Sequence, residues 1–322
     1  MPDPTLVTAI ADADRRIRPT VLETPVVAWP QCAEQVGGPV WVKQEHAQHT
    51  GSFKLRGATN AALQAVSQGR PIVTASSGNH GIAVATALAA LGQAGTVFLP
   101  ETVAPAKLAV VRRTGVTVTL FGTDSGETER EAERVARREG WHYLSPYNDP
   151  DVIAGQGTIG LELLRQLDAI DVVYVSVGGG GLIAGIATAL KAARPEIQIV
   201  GCSAANSCVM HESIRAGRML DLPSLPTFSD GTAGGVDPDT MTFALCQRLV
   251  DRWITIDERA IAIAVRRYID DAHQLVEGAA GVAFAALVAD TQAVATGATR
   301  VAISCGGNIG SARLRELLDA AV

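Results

Sequence analysis

A chain of 322 residues, 47% hydrophobic, 19% charged and 4% aromatic, can bury a large core as one two-lobed unit or two closely joined domains. Its net charge of −6, with no long basic run, excludes the electrostatic footprint of a nucleic-acid or anionic-membrane binder. The N-terminal stretch MPDPTLVTAIADADRRI has neither a basic leader nor an apolar one, and the cysteines (Cys32, Cys202, Cys208, Cys246, Cys305) form no CxxC pairs. The expectation is a cytoplasmic protein without disulfides, zinc or a membrane span.

Taken in chain order, β-branched runs recur at PVWVKQE (39–45), PIVTAS (71–76), GTVFLP (95–100), VTVTLFG (116–122), VVYVSVG (172–178), IQIVGCS (197–203), RWITID (252–257) and RVAISCG (300–306). Apolar residues at helical spacing lie between them, at Ala61 to Val66, Ile82 to Leu91, Ile159 to Leu167, Ile261 to Ile269 and Val282 to Val288. Hairpin turns are largely missing between the runs, so the pattern predicts an α/β fold of parallel strands joined by crossover helices. Leu220 to Thr240, with Pro223, Pro226, Pro238 and the run DGTAGG, reads as a loop. There is no internal repeat and no flexible linker, so the lobes must pack together.

Four loops carry chemistry-bearing residues. In SVGGGGLIAGI (Ser176 to Ile186) four glycines follow a strand and open an apolar helix. Backbone N–H groups there can converge on a phosphate, helped by the positive end of the helix; glycine runs also serve plain tight packing. The spacing matches neither a dinucleotide fingerprint nor a Walker loop. In KQEHAQHTGSFKLRGA (Lys43 to Ala58), Lys54 stands near a helix start beside Phe53 and Arg56. It is either a solvated surface charge or a Schiff-base lysine, its pKa depressed by desolvation and by Arg56. TASSGNHGIAVA (Thr74 to Ala85) follows a strand and opens a helix at Asn79 or His80, an arrangement that suits a carboxylate but is common in any protein. ISCGGNIG (Ile303 to Gly310) brings Cys305, by default an inert buried thiol.

Together SFKLRGA, SSGNHG, VIAGQGTIGLELL, VGGGGLIAGI and SCGGNIG resemble, in family order and from about Ile17 to Leu317, the serine/threonine dehydratase group of fold-type II enzymes dependent on pyridoxal 5′-phosphate (PLP), which includes serine racemase. The resemblance implies a tryptophan synthase β-like fold of two lobes, each a mainly parallel sheet flanked by helices. It implies a large PLP-binding domain of residues 1–73 and 148–322, and a small mobile domain, 74–147, that closes over substrate. It further implies a homodimer, and no regulatory domain of the biosynthetic dehydratase kind is expected.

By the same resemblance Lys54 binds PLP covalently and serves as the base, with Phe53 beside the ring. Asn79 meets the phenolic oxygen, and Gly178, Gly179, Gly180 and Gly181 bind the phosphate. Glu277 lies near the ring, its alternative being a buried helix cap. Cys305 faces the pyridine nitrogen, where a neutral group favours elimination over long-lived carbanion chemistry. Ser76, Ser77, Asn79 and His80 belong to the substrate-carboxylate loop, and Ser77 matches the residue that reprotonates Cα in racemases. Tyr147, in SPYNDP, is the candidate for lining the substrate side chain, or else it closes the lobe interface. The implied activity is conversion of an L-threo-3-hydroxy amino acid, serine, threonine or a bulkier one such as phenylserine or hydroxyaspartate, to a 2-oxo acid and ammonia. Alternatives are a serine or amino-acid racemase, a dehydratase of hydroxyectoine breakdown, and a PLP- or amino-acid-binding sensor without turnover. Metal-dependent relatives carry acidic ligands where this chain has GCSAANSC (Gly201 to Cys208), so no metal is expected, and Cys202 and Cys208 read as core.

Overall fold

The computed structural model describes residues 1–290 and 295–321. Its strands are β1 (Val26–Ala28), β2 (Val40–Gln44), β3 (Ile72–Ala75), β4 (Gly95–Leu99), β5 (Thr117–Leu120), β6 (His142–Tyr143), β7 (Val172–Ser176), β8 (Gln198–Ala204), β9 (Arg252–Ile256) and β10 (Arg300–Ser304). The α-helices between and around them are α1 (Pro4–Ile17), α2 (Pro30–Val36), α3 (Lys54–Ser67), α4 (Asn79–Ala90), α5 (Pro105–Arg112), α6 (Ser125–Glu139), α7 (Pro150–Gln166), α8 (Gly181–Ala193), α9 (Val209–Ala216), α10 (Met241–Leu249), α11 (Glu258–Ala272), α12 (Gly278–Ala289) and α13 (Ser311–Ala320).

Two sheets result, a larger one ordered β1-β2-β10-β7-β8-β9 and a smaller one ordered β5-β4-β3-β6. Every pairing is parallel except β1 with β2. The eight β-branched runs become β2 to β5 and β7 to β10. The sequence reading misses β1 and β6, three and two residues long, because segments so short show no alternation. The smaller sheet begins at Ile72, two residues ahead of the expected lobe boundary at Thr74. Residues 220 to 240 form the expected loop, interrupted only by a single 3-10 turn at Asp230–Thr232.

Helix ends follow the side chains that can satisfy free backbone groups. Asp149 accepts from the amides of Asp151 and Val152 with Pro150 in the first turn of α7, and Asp257 accepts from Ala260 N at the start of α11. Helices α8 and α12 are dominated by apolar residues and mostly buried, α12 lying against β7 to β10 and α8 against α7. One buried cluster is ionic. Lys43, Glu45, Arg56 and Glu162, each at most 2% exposed, form Lys43–Glu162, Arg56–Glu45 and Arg56–Glu162 pairs. Thr24, Thr158, Gln166 and the Leu22 carbonyl oxygen take part in further hydrogen bonds. Two cations and two anions balance, and each charge is paired, as burial demands. Among the described residues no helix is long and apolar enough to cross a membrane.

Candidate active site

A cavity of about 790 Å³, its open mouth included, lies where the carboxyl ends of strands from both sheets meet. Three strand-to-helix junctions supply it: β3 to α4, bringing Asn79; β7 to α8, bringing Gly178 to Gly181; and the segment after β10, bringing Cys305. Because β10 pairs directly with β7, segments 128 residues apart in sequence become neighbours (Ala302 with Tyr174). Lys54 is the first residue of α3, and its approach is fixed by main-chain bonds to the β10 segment. Phe53 N donates to Cys305 O at 3.0 Å, Gly307 N donates to Gly51 O at 2.9 Å, and Ser52 bridges to Gly306.

Lys54 Nζ donates to the carbonyl oxygen of Pro146 at 2.8 Å and lies 5.0 Å from the centre of the Phe53 ring. Desolvation pulls its pKa down to about 8, against the opposing pull of the Glu277 carboxylate. Arg56 has no such effect, contrary to the sequence reading, since its guanidinium turns away into the buried cluster and is matched by Glu45 and Glu162. Burial pushes the Cys305 thiol well above the ordinary range, so it is a neutral thiol at physiological pH. Burial likewise raises Glu277, while the Asn79 hydrogen bond and Lys54 pull it back. Glu277 does stand at the N-cap of α12, yet its side chain caps nothing there. Both its oxygens instead accept from Asn79 Nδ2 at 3.0 Å, and Asn79 Oδ1 accepts from Asn308 Nδ2 at 2.7 Å.

The glycine loop is held tightly. Gly180 has φ +86°, a left-handed conformation that disfavours side chains, and a Cβ on Gly179 would lie 2.3 Å from the Tyr147 ring. Thr242 Oγ1 donates to Gly179 O at 2.7 Å. The first N–H groups of α8 have no partner within the helix and open on the cavity from Gly181, Leu182 and Ile183. Tyr147 both lines the cavity and joins parts of its wall, its ring on Gly179 and its hydroxyl accepting from Asp237 N at 2.9 Å.

Phe53, Lys54, Asn79, Tyr147, Gly178 to Gly181, Glu277 and Cys305 are thus brought together around one cavity. Ser76, Ser77 and His80 are outside its lining. Ser76 Oγ accepts from Gly78 N within its own turn, Ser77 is half-buried beside it, and His80 is buried with Nε2 on the Leu144 carbonyl oxygen. What the SSGNHG loop offers the cavity is Asn79 and the start of α4, where Gly78 provides no side-chain cap. Sequence reasoning missed Asn308, although it lies inside SCGGNIG. It also passed over the chemistry of the DGTAGG run, whose Gly231, Thr232, Ala233 and Gly235 form part of the wall. Pro146 gave no signal, since only its main chain acts. Cys202 is buried in β8, but Cys208 is half-exposed rather than core because it follows the turn that leaves that strand. Among the described residues no group of three or more His, Cys, Asp or Glu is placed to hold a metal.

Comparison with known proteins places the chain in a family. The model of the pyridoxal-phosphate dependent enzyme family matches residues 17–306. An L-threonine ammonia-lyase of Geobacter sulfurreducens is 38% identical over 306 residues, 94% of this chain and 75% of that protein. The solved structure of the processed form of threonine deaminase isoform 2 from Solanum lycopersicum superposes with a TM-score of 0.93 at 31% identity, covering 99% of this chain and 94% of that one. Maize serine racemase superposes with a TM-score of 0.90, also at 31% identity, over 96% and 95%. The chain belongs to the pyridoxal-phosphate dependent enzymes, with the fold-type II architecture.

Proposed function

We propose that the protein is an ammonia-lyase that dehydrates a small L-3-hydroxy amino acid, threonine or serine foremost, to a 2-oxo acid and ammonia. The observation that carries this reading is Lys54, a desolvated amine with a pKa near 8 facing a cavity that has a glycine-lined anion cradle and a neutral thiol. The donor set fits the cofactor. Residues 178 to 181 leave side-chain-free space in front of the α8 N–H groups for a phosphate, Lys54 is available to hold the aldehyde carbon, and Asn79 is fixed by Glu277 and Asn308 for a ring oxygen. When bound, PLP supplies the electron-withdrawing ring that acidifies the Cα–H of the amino acid.

The chain's own groups then divide the work. Lys54, as the free neutral amine, takes the Cα proton, and the Pro146 carbonyl oxygen fixes that amine in one direction. Cys305, held neutral by burial, withholds the charge that an aspartate would place at the same spot. The opening turn of α4 receives the substrate carboxylate on backbone N–H groups. Lys54 and Glu277 are the charged side chains among the lining residues, and neither is a spare cation for a second carboxylate. This favours serine and threonine over hydroxyaspartate. The likeness to serine racemase supports racemisation as a second reading, with Ser77 as its residue, but Ser77 lies outside the lining. A panel of L- and D-3-hydroxy amino acids assayed for 2-oxo acid, ammonia and chirality separates the two. Interconversion of D- and L-serine faster than pyruvate formation sinks the lyase assignment, and Ser77→Ala should abolish racemisation while sparing elimination. A homodimer and closure of the 74–147 lobe over substrate complete the proposal.

A further inference from the structure

His80 does not point at the cavity, and its contacts lead elsewhere. A carbonyl oxygen only accepts, so the 2.9 Å contact with Leu144 O assigns the His80 proton to Nε2 and leaves Nδ1 buried without a partner. Thr74 Oγ1 donates to the same carbonyl at 2.8 Å, and Leu144 N donates to Val73 O at 2.9 Å. Leu144 is thereby pinned to β3 and α4 through both its N–H and its carbonyl oxygen. From it runs a short turn, closed where Asn148 N donates to Ser145 Oγ at 3.0 Å. Between these fixed points Pro146 O receives the Lys54 amine at 2.8 Å. Downstream the segment is tied by Tyr147 to Asp237 N and by Asn148 Oδ1 to Met241 N at 3.0 Å. Residues 144 to 148 therefore touch the SSGNHG helix, the base, the glycine loop and the 237–241 segment in succession. Burial and the nearby lysine keep His80 neutral, with its pKa lowered to about 3, so the Nε2–H donor persists throughout the physiological range.

We propose that His80 is a positioning residue for Lys54: by holding the Leu144 carbonyl it sets the turn whose Pro146 carbonyl oxygen orients the free lysine amine. This rests on the reading of Lys54 as the base. A side chain that gripped the substrate carboxylate would act mainly on binding, whereas one that orients the base acts on the proton-transfer step.

The test uses the holoenzyme with L-threonine, comparing His80→Leu, His80→Gln and Thr74→Val for kcat, KM and hydrogen exchange of the peptide spanning 144 to 148. His80→Leu should lower kcat by about tenfold or more with KM within about threefold, since a small misplacement of a reacting group is costly. Exchange at Tyr147 and Asn148 should rise. His80→Gln, which keeps an N–H donor, should recover most of kcat. Thr74→Val strips the same carbonyl of its other donor outside the cavity lining, and should shift kcat and exchange in the same direction even if His80→Leu does not fold. A raised KM with kcat unchanged in His80→Leu overturns the proposal, as does unchanged exchange in both folded variants. If the wild type binds PLP but makes no 2-oxo acid from threonine, the lyase reading fails instead; unchanged exchange would still overturn the link from His80 to the turn.

Discussion

In the proposed reaction the Lys54 amine is the group whose state decides turnover. Its pKa of about 8 lies below that of a free lysine because burial disfavours the ammonium, and only the neutral form accepts a proton. Below pH 8 the amine is increasingly protonated, so kcat for threonine should fall by about tenfold per pH unit on the acid side and level off above pH 8. Glu277 favours the ammonium, so Glu277→Gln should move that acid limb to lower pH, read from the position of the limb rather than from its height. A limb that stays put or moves upward would show that another group titrates. At this scale the sequence singled out Lys54, Asn79, the glycines and Cys305, each in a short motif with fixed neighbours, and the structure brings them to one cavity. It misjudged Arg56, whose partners Glu45 and Glu162 come from 11 and 106 residues away, and it could not show that the His80 ring turns inward.

At the scale of elements, the α8 junction is the part least tolerant of change. Gly180→Ala forces a side chain into left-handed backbone at about 1–2 kcal/mol, with its Cβ 3.1 Å from Cys246 Sγ and from Thr242 Cβ. The variant should release PLP on dialysis under conditions in which the wild type keeps its visible absorption band. Equal retention would argue against these glycines as the phosphate cradle. The long strands and helices were legible because period-2 and period-3.6 patterns persist over several residues. The wall contributed by residues 231 to 235 was not, since a loop carries no periodicity and its place depends on packing against Gly178, where a Cβ would lie 2.9 Å from Thr232 O.

At the scale of the molecule, the buried cluster of Lys43, Glu45, Arg56 and Glu162 fastens β2, α3 and α7 to one another. Glu162→Gln leaves two cations facing one anion, so it should destabilise the fold by about 3–5 kcal/mol, measured by urea unfolding. A loss below about 1 kcal/mol would mean that the cluster is compensated by solvent or by protonation. The proposed closure of a 74–147 lobe predicts that a slow substrate analogue protects those residues from protease; equal cleavage with and without it counts against closure. Strand order was beyond the sequence, because only the folded sheet shows that β10, last in the chain, lies between β2 and β7 and so carries Cys305 to Lys54.

Product balance on L-threonine, for PLP-loaded wild type and Lys54→Ala, tests most directly whether the protein is a lyase that uses Lys54. The wild type should release 2-oxobutanoate and ammonia in equal amounts, and Lys54→Ala should lose both the turnover and the violet absorption band of the bound cofactor. Wild-type protein that shows the band yet forms no 2-oxo acid, or a Lys54→Ala variant that turns over as the wild type does, would contradict the account.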